Sequence, residues 1–193
     1  MGRWEPDAPG RLQRAAFELY GERGYDQTTV AEIAARAGLT ERTFFRHFAD
    51  KREVLFHGGE RFVAAIVEPV AAAPVGTGSL EAVTAGIEAA GSVFPALELV
   101  RRRHALIVAN PELQERELIK LASLASALVE ALRRRGIPDA AAQLAAQTGV
   151  TVLRIAFMRW IEDAAELPWE CHVRETIDEL RSLTAQSDAA TAA

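Results

Sequence analysis

Residues 28–51, TTVAEIAARAGLTERTFFRHFADK, constrain this chain more than any other stretch. Val30, Ile33, Ala34 and Ala37 recur at helical spacing and form one inner stripe. Thr28 or Thr29 can cap that helix, and Glu32, three residues after Thr29, completes a capping-box pattern. Gly38 supplies the positive φ of a tight turn, and Leu39 plugs the gap between helices. Thr40 then caps a further helix, Glu41–Phe48. Two short helices joined in this way make a helix-turn-helix, whose second helix lies in the DNA major groove. One helix precedes the pair, from about Pro9 to Arg23. Leu12, Ala15, Ala16, Leu19 and Tyr20 mark its inner face, and Gly24 stops it.

The rest of the chain continues the helical pattern. Asp50 caps a fourth helix with Glu53 three residues on; it carries Val54, Leu55, Phe62, Val63, Ile66 and Val67 and ends near Pro69. The Ala-, Pro- and Gly-rich segment 71–78 reads as a loop. Ser79 caps a fifth helix that runs through Ala90, and Pro95 opens a sixth. Asn110 caps a seventh with Pro111 at its first position; it stops at Gly136 after Arg133, Arg134 and Arg135. Pro138 starts an eighth helix to about Asp163, and Pro168 a ninth to about Gln186. The small, polar tail Ser187–Ala193 is expected to fray. The expected fold is all-α with nine helices: a helix-turn-helix head over 1–57 and a helical ligand-binding and dimerisation body over 58–193.

The bulk numbers exclude several classes. Of the 193 residues 49% are hydrophobic, ample for a core. The net charge of −5 argues against a generic polyanion binder, and residues 1–57 are neutral. DNA binding would therefore depend on where a few basic groups fall. The single cysteine, Cys171, allows no internal disulfide, and the N-terminus has no apolar signal segment. No run approaches the roughly 18 apolar residues of a membrane span. A cytoplasmic location and no membrane partner are expected. His47, His57, His104 and His172 form no metal-ligand spacing, so neither metal nor cofactor is expected. No nucleophile set, phosphate-binding glycine loop or metal cluster points to an enzyme.

Two features of the body stand out. The eighth helix is apolar over most of its circumference, from Val150 to Ile161. The ninth has a stripe of Trp169, Val173, Thr176, Ile177, Leu180 and Leu183. These helices can pair with a second copy as a four-helix bundle, or pack on their own chain's core. Arg101, Arg102, Arg103 and His104 sweep most of a helix, so they cannot all face water. An inward Arg103 or His104 can meet an acidic ligand, or pair with a buried carboxylate such as Glu130 or Glu162.

Over residues 11–57 the chain resembles the TetR family of transcriptional regulators. The resemblance lies in Thr-Thr-Val-x-x-Ile-Ala, Gly-Leu-Thr, Phe-x-x-His-Phe and the following Lys51. It implies an all-α homodimer, with three N-terminal DNA-binding helices, a ligand cavity in the body, and the last long helices at the dimer interface. Residues 101–160 more loosely resemble the mycofactocin-associated branch, which is associated with acyl-coenzyme A ligands. By resemblance, Thr28, His47 and Lys51 meet phosphates. Lys51 would do so at the N-terminus of the fourth helix, where the dipole favours an anion. Glu41, Arg42, Thr43 and Arg46 are the exposed positions of the third helix, placed to meet base edges. Phe45 stands where the family commonly has Tyr. It lacks the hydroxyl contact but can pack on sugar or a thymine methyl. The helical faces suggest a cavity lined by Phe62, Ile66, Ile87, His104, Ile107, Leu121, Leu124, Leu128, Phe157 and Trp160. The expected partners are an operator duplex, a small-molecule effector and a second copy through helices eight and nine. The expected function is that of a ligand-responsive regulator, a repressor released from a palindromic operator by a small hydrophobic effector. The alternative is a ligand-independent dimeric DNA binder or adaptor.

Overall fold

The computed structural model describes residues 7–191, with side chains through 185. The other residues, and the fraying expected at Ser187–Ala193, fall outside the described side chains. Nine α-helices and no strand form among the described residues. They are α1 (Ala8–Arg23), α2 (Val30–Arg36), α3 (Glu41–His47), α4 (Gly59–Ala72), α5 (Ser79–Ala89), α6 (Leu97–Ala109), α7 (Pro111–Arg134), α8 (Asp139–Glu162) and α9 (Trp169–Thr191). The local signals act largely as read. Thr29 and Glu32 close a reciprocal capping box at α2. The Thr40 hydroxyl accepts from the Thr43 N–H at α3, and Gly38 takes φ 66° between them. Past the end of α7, Gly136 takes φ 81°, and the Ile137 N–H returns to the Leu132 carbonyl. Together these form a glycine-ended helix stop.

Three boundaries differ from expectation. Asp50 does cap, accepting from the Arg52 and Glu53 N–H groups, but the turn it opens is a 3-10 segment, Glu53–Phe56. Gly58 at φ 84° then breaks the chain direction, and α4 begins only at Gly59. Pro69 lies inside α4 rather than at its end. Near a C-terminus it removes only one backbone bond, and three more residues complete the turn. Ser79 is the first residue of α5 and not its cap; Gly78 holds the cap position without a side-chain bond.

The chain gathers into two compact units. The first comprises Met1–Glu60 and Glu98–Leu118, the second Arg61–Leu97 and Ile119–Ala193. Helical periodicity suggests one cut after residue 57, whereas α6 and the first turns of α7 group with the head. The head's core joins Leu12, Ala16, Leu19, Tyr20, Ile33, Phe44 and Leu55 to Ile107 and Leu113.

The second unit is built on close helix contacts. A Cβ on Gly86 of α5 would lie 2.3 Å from the Ile66 carbonyl oxygen of α4. A Cβ on Gly149 of α8 would lie 2.3 Å from Val83 Cγ1 of α5. The indole N–H of Trp169, at the start of α9, donates to the Ile87 carbonyl at 2.8 Å. The α9 stripe is covered by its own chain: Trp169, Val173, Thr176 and Ile177 are all buried, Ile177 at 4% exposure. Ile177 is thus a core residue of the single chain and not a bundle contact waiting for a second copy. Only Leu183, at the far end of that stripe, is strongly exposed.

Gly86→Ala should lower the chemical denaturation midpoint by an amount equivalent to about 1–3 kcal/mol, because overpacking against backbone cannot relax through a rotamer. Alanine's better helix propensity, about 1 kcal/mol over glycine, predicts the opposite sign. A raised midpoint would contradict the close approach.

Candidate nucleic-acid interface

Helix α3 has seven residues, too few to be stable alone. It is held by aromatic side chains. Phe44 is fully buried and Phe48 nearly so, with ring centroids 5.5 Å apart. At about 100° per residue, Arg42 and Arg46 stand roughly 40° apart on the side opposite Phe44. Glu41, Arg42, Phe45, Arg46 and His47 are exposed and Thr43 is half-buried. Phe45 is 56% exposed, and its ring meets Phe44 edge-on at 5.5 Å. An Arg46 guanidinium nitrogen lies 3.4 Å from His47 Nε2. The Thr43 and Thr40 hydroxyls lie 3.1 Å apart. Six of the eight DNA-contact residues expected from the sequence therefore lie on α3, five of them exposed.

The head's neutral total conceals a separation of charge. Arg36 binds Glu22 at 2.9 Å and Glu18 at 3.3 Å, and Arg23 binds Glu32 at 2.7 Å. Glu22 is held below the usual carboxylate range chiefly by its bond from Arg36. Glu32 is held below it by the Thr29 N–H and hydroxyl. The carboxylates of α1 and α2 are thus engaged on their own flank. On α3, Arg42 and Arg46 make no ion pair with a described residue.

Two expected contacts do not sit on that surface. Thr28 is 1% exposed, and its hydroxyl donates to the Gly24 carbonyl at 2.9 Å. It closes the α1–α2 connection and presents no hydroxyl to a phosphate. Lys51 is not at the N-terminus of α4, which starts eight residues later; it precedes the short 3-10 turn Glu53–Phe56. Its ammonium donates to the carbonyls of Tyr25, Asp26 and Thr28.

Helices α6 and α7 add polar ties that sequence reading missed. The Arg103 Nε donates to the Leu55 carbonyl at 3.0 Å. Its guanidinium lies 4.9 Å from the Phe56 ring centroid and 3.3 Å from Glu117. Burial lowers the pKa of Arg103, and Glu117 opposes that shift. Arg116 pairs with Glu53, and the Tyr25 hydroxyl reaches Glu112 at 3.5 Å. Arg103 does face inward, but its carboxylate is Glu117 rather than Glu130 or Glu162. Ile107 is a head-core residue, and His104 groups with the same unit.

Of the other proposed cavity residues, Phe62, Phe157 and Trp160 do come together. They surround Phe94, with ring centroids 5.5, 6.3 and 4.7 Å from it, and Trp169 stands at 5.2 Å. Phe94 escaped the sequence reading because it sits before Pro95, in extended backbone between helices. Ile66, Ile87, Leu124 and Leu128 are buried, and Leu121 is half-buried. A separate groove of about 310 Å³ follows α7 and α8, lined by Ala125, Ser126, Val129, Glu130, Arg133, Gln143 and Gln147. It shares no residue with the expected cavity.

A compact head that presents one short, exposed helix on an all-α chain defines a helix-turn-helix DNA-binding protein. Residues 12–57 match the model of the bacterial regulatory proteins of the tetR family, so this chain carries that family's N-terminal domain. It is 37% identical over 79 residues to the transcriptional regulator TcmR of Streptomyces glaucescens. That match covers 41% of this chain and only 35% of TcmR. It is 25% identical over 177 residues to MftR of Mycobacterium tuberculosis, named as a mycofactocin biosynthesis regulator, with 84% of each chain covered. Among solved structures, the Thermus thermophilus repressor FadR, bound to lauroyl-CoA, shares the fold at TM-score 0.54. The identity there is 22%, over 88% of this chain and 91% of FadR.

Thr29→Ala should reduce head stability by about 1 kcal/mol through loss of the α2 cap. Hydrogen exchange at the Glu32 amide, which the Thr29 hydroxyl holds, should rise with it. Unchanged exchange there would show that the capping box does not hold α2.

Proposed function

We propose that this chain is a ligand-responsive transcriptional regulator of the cytoplasm. It binds a palindromic operator as a homodimer and acts as a repressor released by a small hydrophobic effector. The observation that carries the reading is the outward face of α3, where Arg42 and Arg46 are exposed and make no ion pair with a described residue. Arg42 suits bidentate contact to guanine, and Glu41 can accept from cytosine N4. Thr43 and Arg46 reach neighbouring base edges, Phe45 packs on sugar or a thymine methyl, and His47 meets a phosphate. Arg42→Ala should weaken binding by about 1–3 kcal/mol on the preferred operator and little on scrambled duplex. Equal losses on both duplexes would assign Arg42 to the backbone.

Dimerisation is supported by α8. Leu144, Thr151, Ile155 and Met158 are exposed and fall within one face at about 100° per residue. Leu144 is 71% exposed. A second copy covering this face would bring two heads into one particle, and two half-sites need them about 34–36 Å apart or a multiple of it. Ile155→Glu should give folded monomers in sedimentation at micromolar concentration. Ile177→Glu should instead unfold the second unit, because it places a charge in the chain's own core. A monomeric wild type would overturn the two-headed reading.

The aromatic cluster around Phe94 supports an apolar effector, and the lauroyl-CoA of the FadR complex suggests an acyl thioester. Such an effector acts only by binding the DNA-free state better. A thermal-shift panel of acyl thioesters and hydrophobic drugs tests this. A compound that raises the melting temperature and releases duplex supports the reading. Duplex binding with no responding compound favours the ligand-independent regulator.

A further inference from the structure

We propose that Lys51 is a positioning residue for DNA binding, a pin that locks the α1–α2 connection to the exit of α3, and that it does not contact phosphate. This rests on the reading of the head as a DNA-binding unit. The Lys51 ammonium donates to the carbonyls of Tyr25 at 2.9 Å, Thr28 at 3.1 Å and Asp26 at 3.3 Å. A lysine ammonium has three donors and no acceptor, so three converging carbonyls use it fully. The same nitrogen lies 4.2 Å from the centroid of the Tyr25 ring, a cation–π contact. The Lys51 carbonyl in turn accepts from the Tyr20 hydroxyl at 2.8 Å. Lys51 is thus held from both ends, by α1 through Tyr20 and by the connection through its ammonium.

The connection needs such a partner. Gly24 leaves α1 at φ 82°, and the chain then wraps over buried Tyr25 and Thr28 before α2 begins. That path turns three carbonyls toward one point: those of Tyr25 and Thr28 in partly buried contacts and that of Asp26 in an exposed one. The Tyr25 carbonyl also accepts from the Thr28 N–H at 3.2 Å. A partly buried carbonyl gains from a further donor. The ammonium satisfies all three. It also fixes the start of α2 to a residue just past the end of α3, so it sets the angle between the two helices of the helix-turn-helix. To reach a phosphate it would have to abandon these carbonyls and the Tyr25 ring. Exposed Arg42, Arg46 and His47 have no comparable commitment.

The test uses two variants of the full chain. Lys51→Met keeps the aliphatic stem but removes every donor. Lys51→Arg keeps the charge, but a planar guanidinium cannot direct three N–H bonds at one converging set of carbonyls. The probe is a duplex that the wild type selects from a random-sequence pool, compared with a scrambled duplex across a salt series. We expect both variants to bind the selected duplex at least tenfold more weakly, to lose preference over the scrambled one, and to keep the wild-type salt slope. Without DNA, both should lose hydrogen-exchange protection across residues 25–29. A phosphate contact predicts something different: Lys51→Arg binds like wild type, and Lys51→Met lowers the salt slope by about one. Either that pattern, or intact protection over 25–29 in both variants, would overturn the proposal. A wild type that binds no duplex would defeat the DNA-binding reading instead. The exchange measurement would still decide where the Lys51 ammonium is spent.

Discussion

The burial of Phe44 is the contact on which the site depends. A seven-residue helix such as α3 has no stability of its own and takes its place from what it packs on. Phe44 is fully buried among Leu12, Leu19, Ile33 and Leu55. Because the ring fixes the rotation of α3, it also decides which residues face outward. With Phe44 inside, Arg42 and Arg46 point away. A shift of one residue in that anchor would turn a different set of side chains to the solvent. The caps at Thr29 and Thr40 set where the helices begin, but the aromatic anchor sets what α3 shows.

The head extends beyond its three N-terminal helices. Ile107 and Leu113 enter its core, and Arg103, Glu112 and Arg116 tie to Leu55, Tyr25 and Glu53. Tyr25 holds a central place in this arrangement. Its hydroxyl approaches Glu112, its ring lies under the Lys51 ammonium, and its carbonyl accepts from that ammonium. One side chain therefore touches both the first turn of α7 and Lys51, four residues past the end of α3.

Much of the head was legible because its signals are local. A capping box, a glycine turn and a helical stripe each act within a few residues, and each appears where it was read. The failures involve longer-range or irregular structure. Thr28 and Thr29 look equivalent as sequence, yet Thr29 caps while Thr28 bonds back to Gly24. The placement of the Lys51 ammonium depends on carbonyls 23 to 26 residues earlier, which no spacing rule reveals. Arg103 was recognised as inward, but its partner Glu117 lies across the α6–α7 corner. The α9 stripe was read correctly as apolar, while what covers it depended on α5 and α8 within the same chain. Phe94 sits in non-helical backbone, where periodicity carries no information.

The outward face of α3 is proposed to read DNA sequence through two copies of this chain. Selection of bound duplexes from a random-sequence pool by the purified protein tests it most directly. The account predicts enrichment of one inverted repeat, whose two arms are protected together in a footprint. Recovery of a pool with no sequence enriched over the input would contradict it.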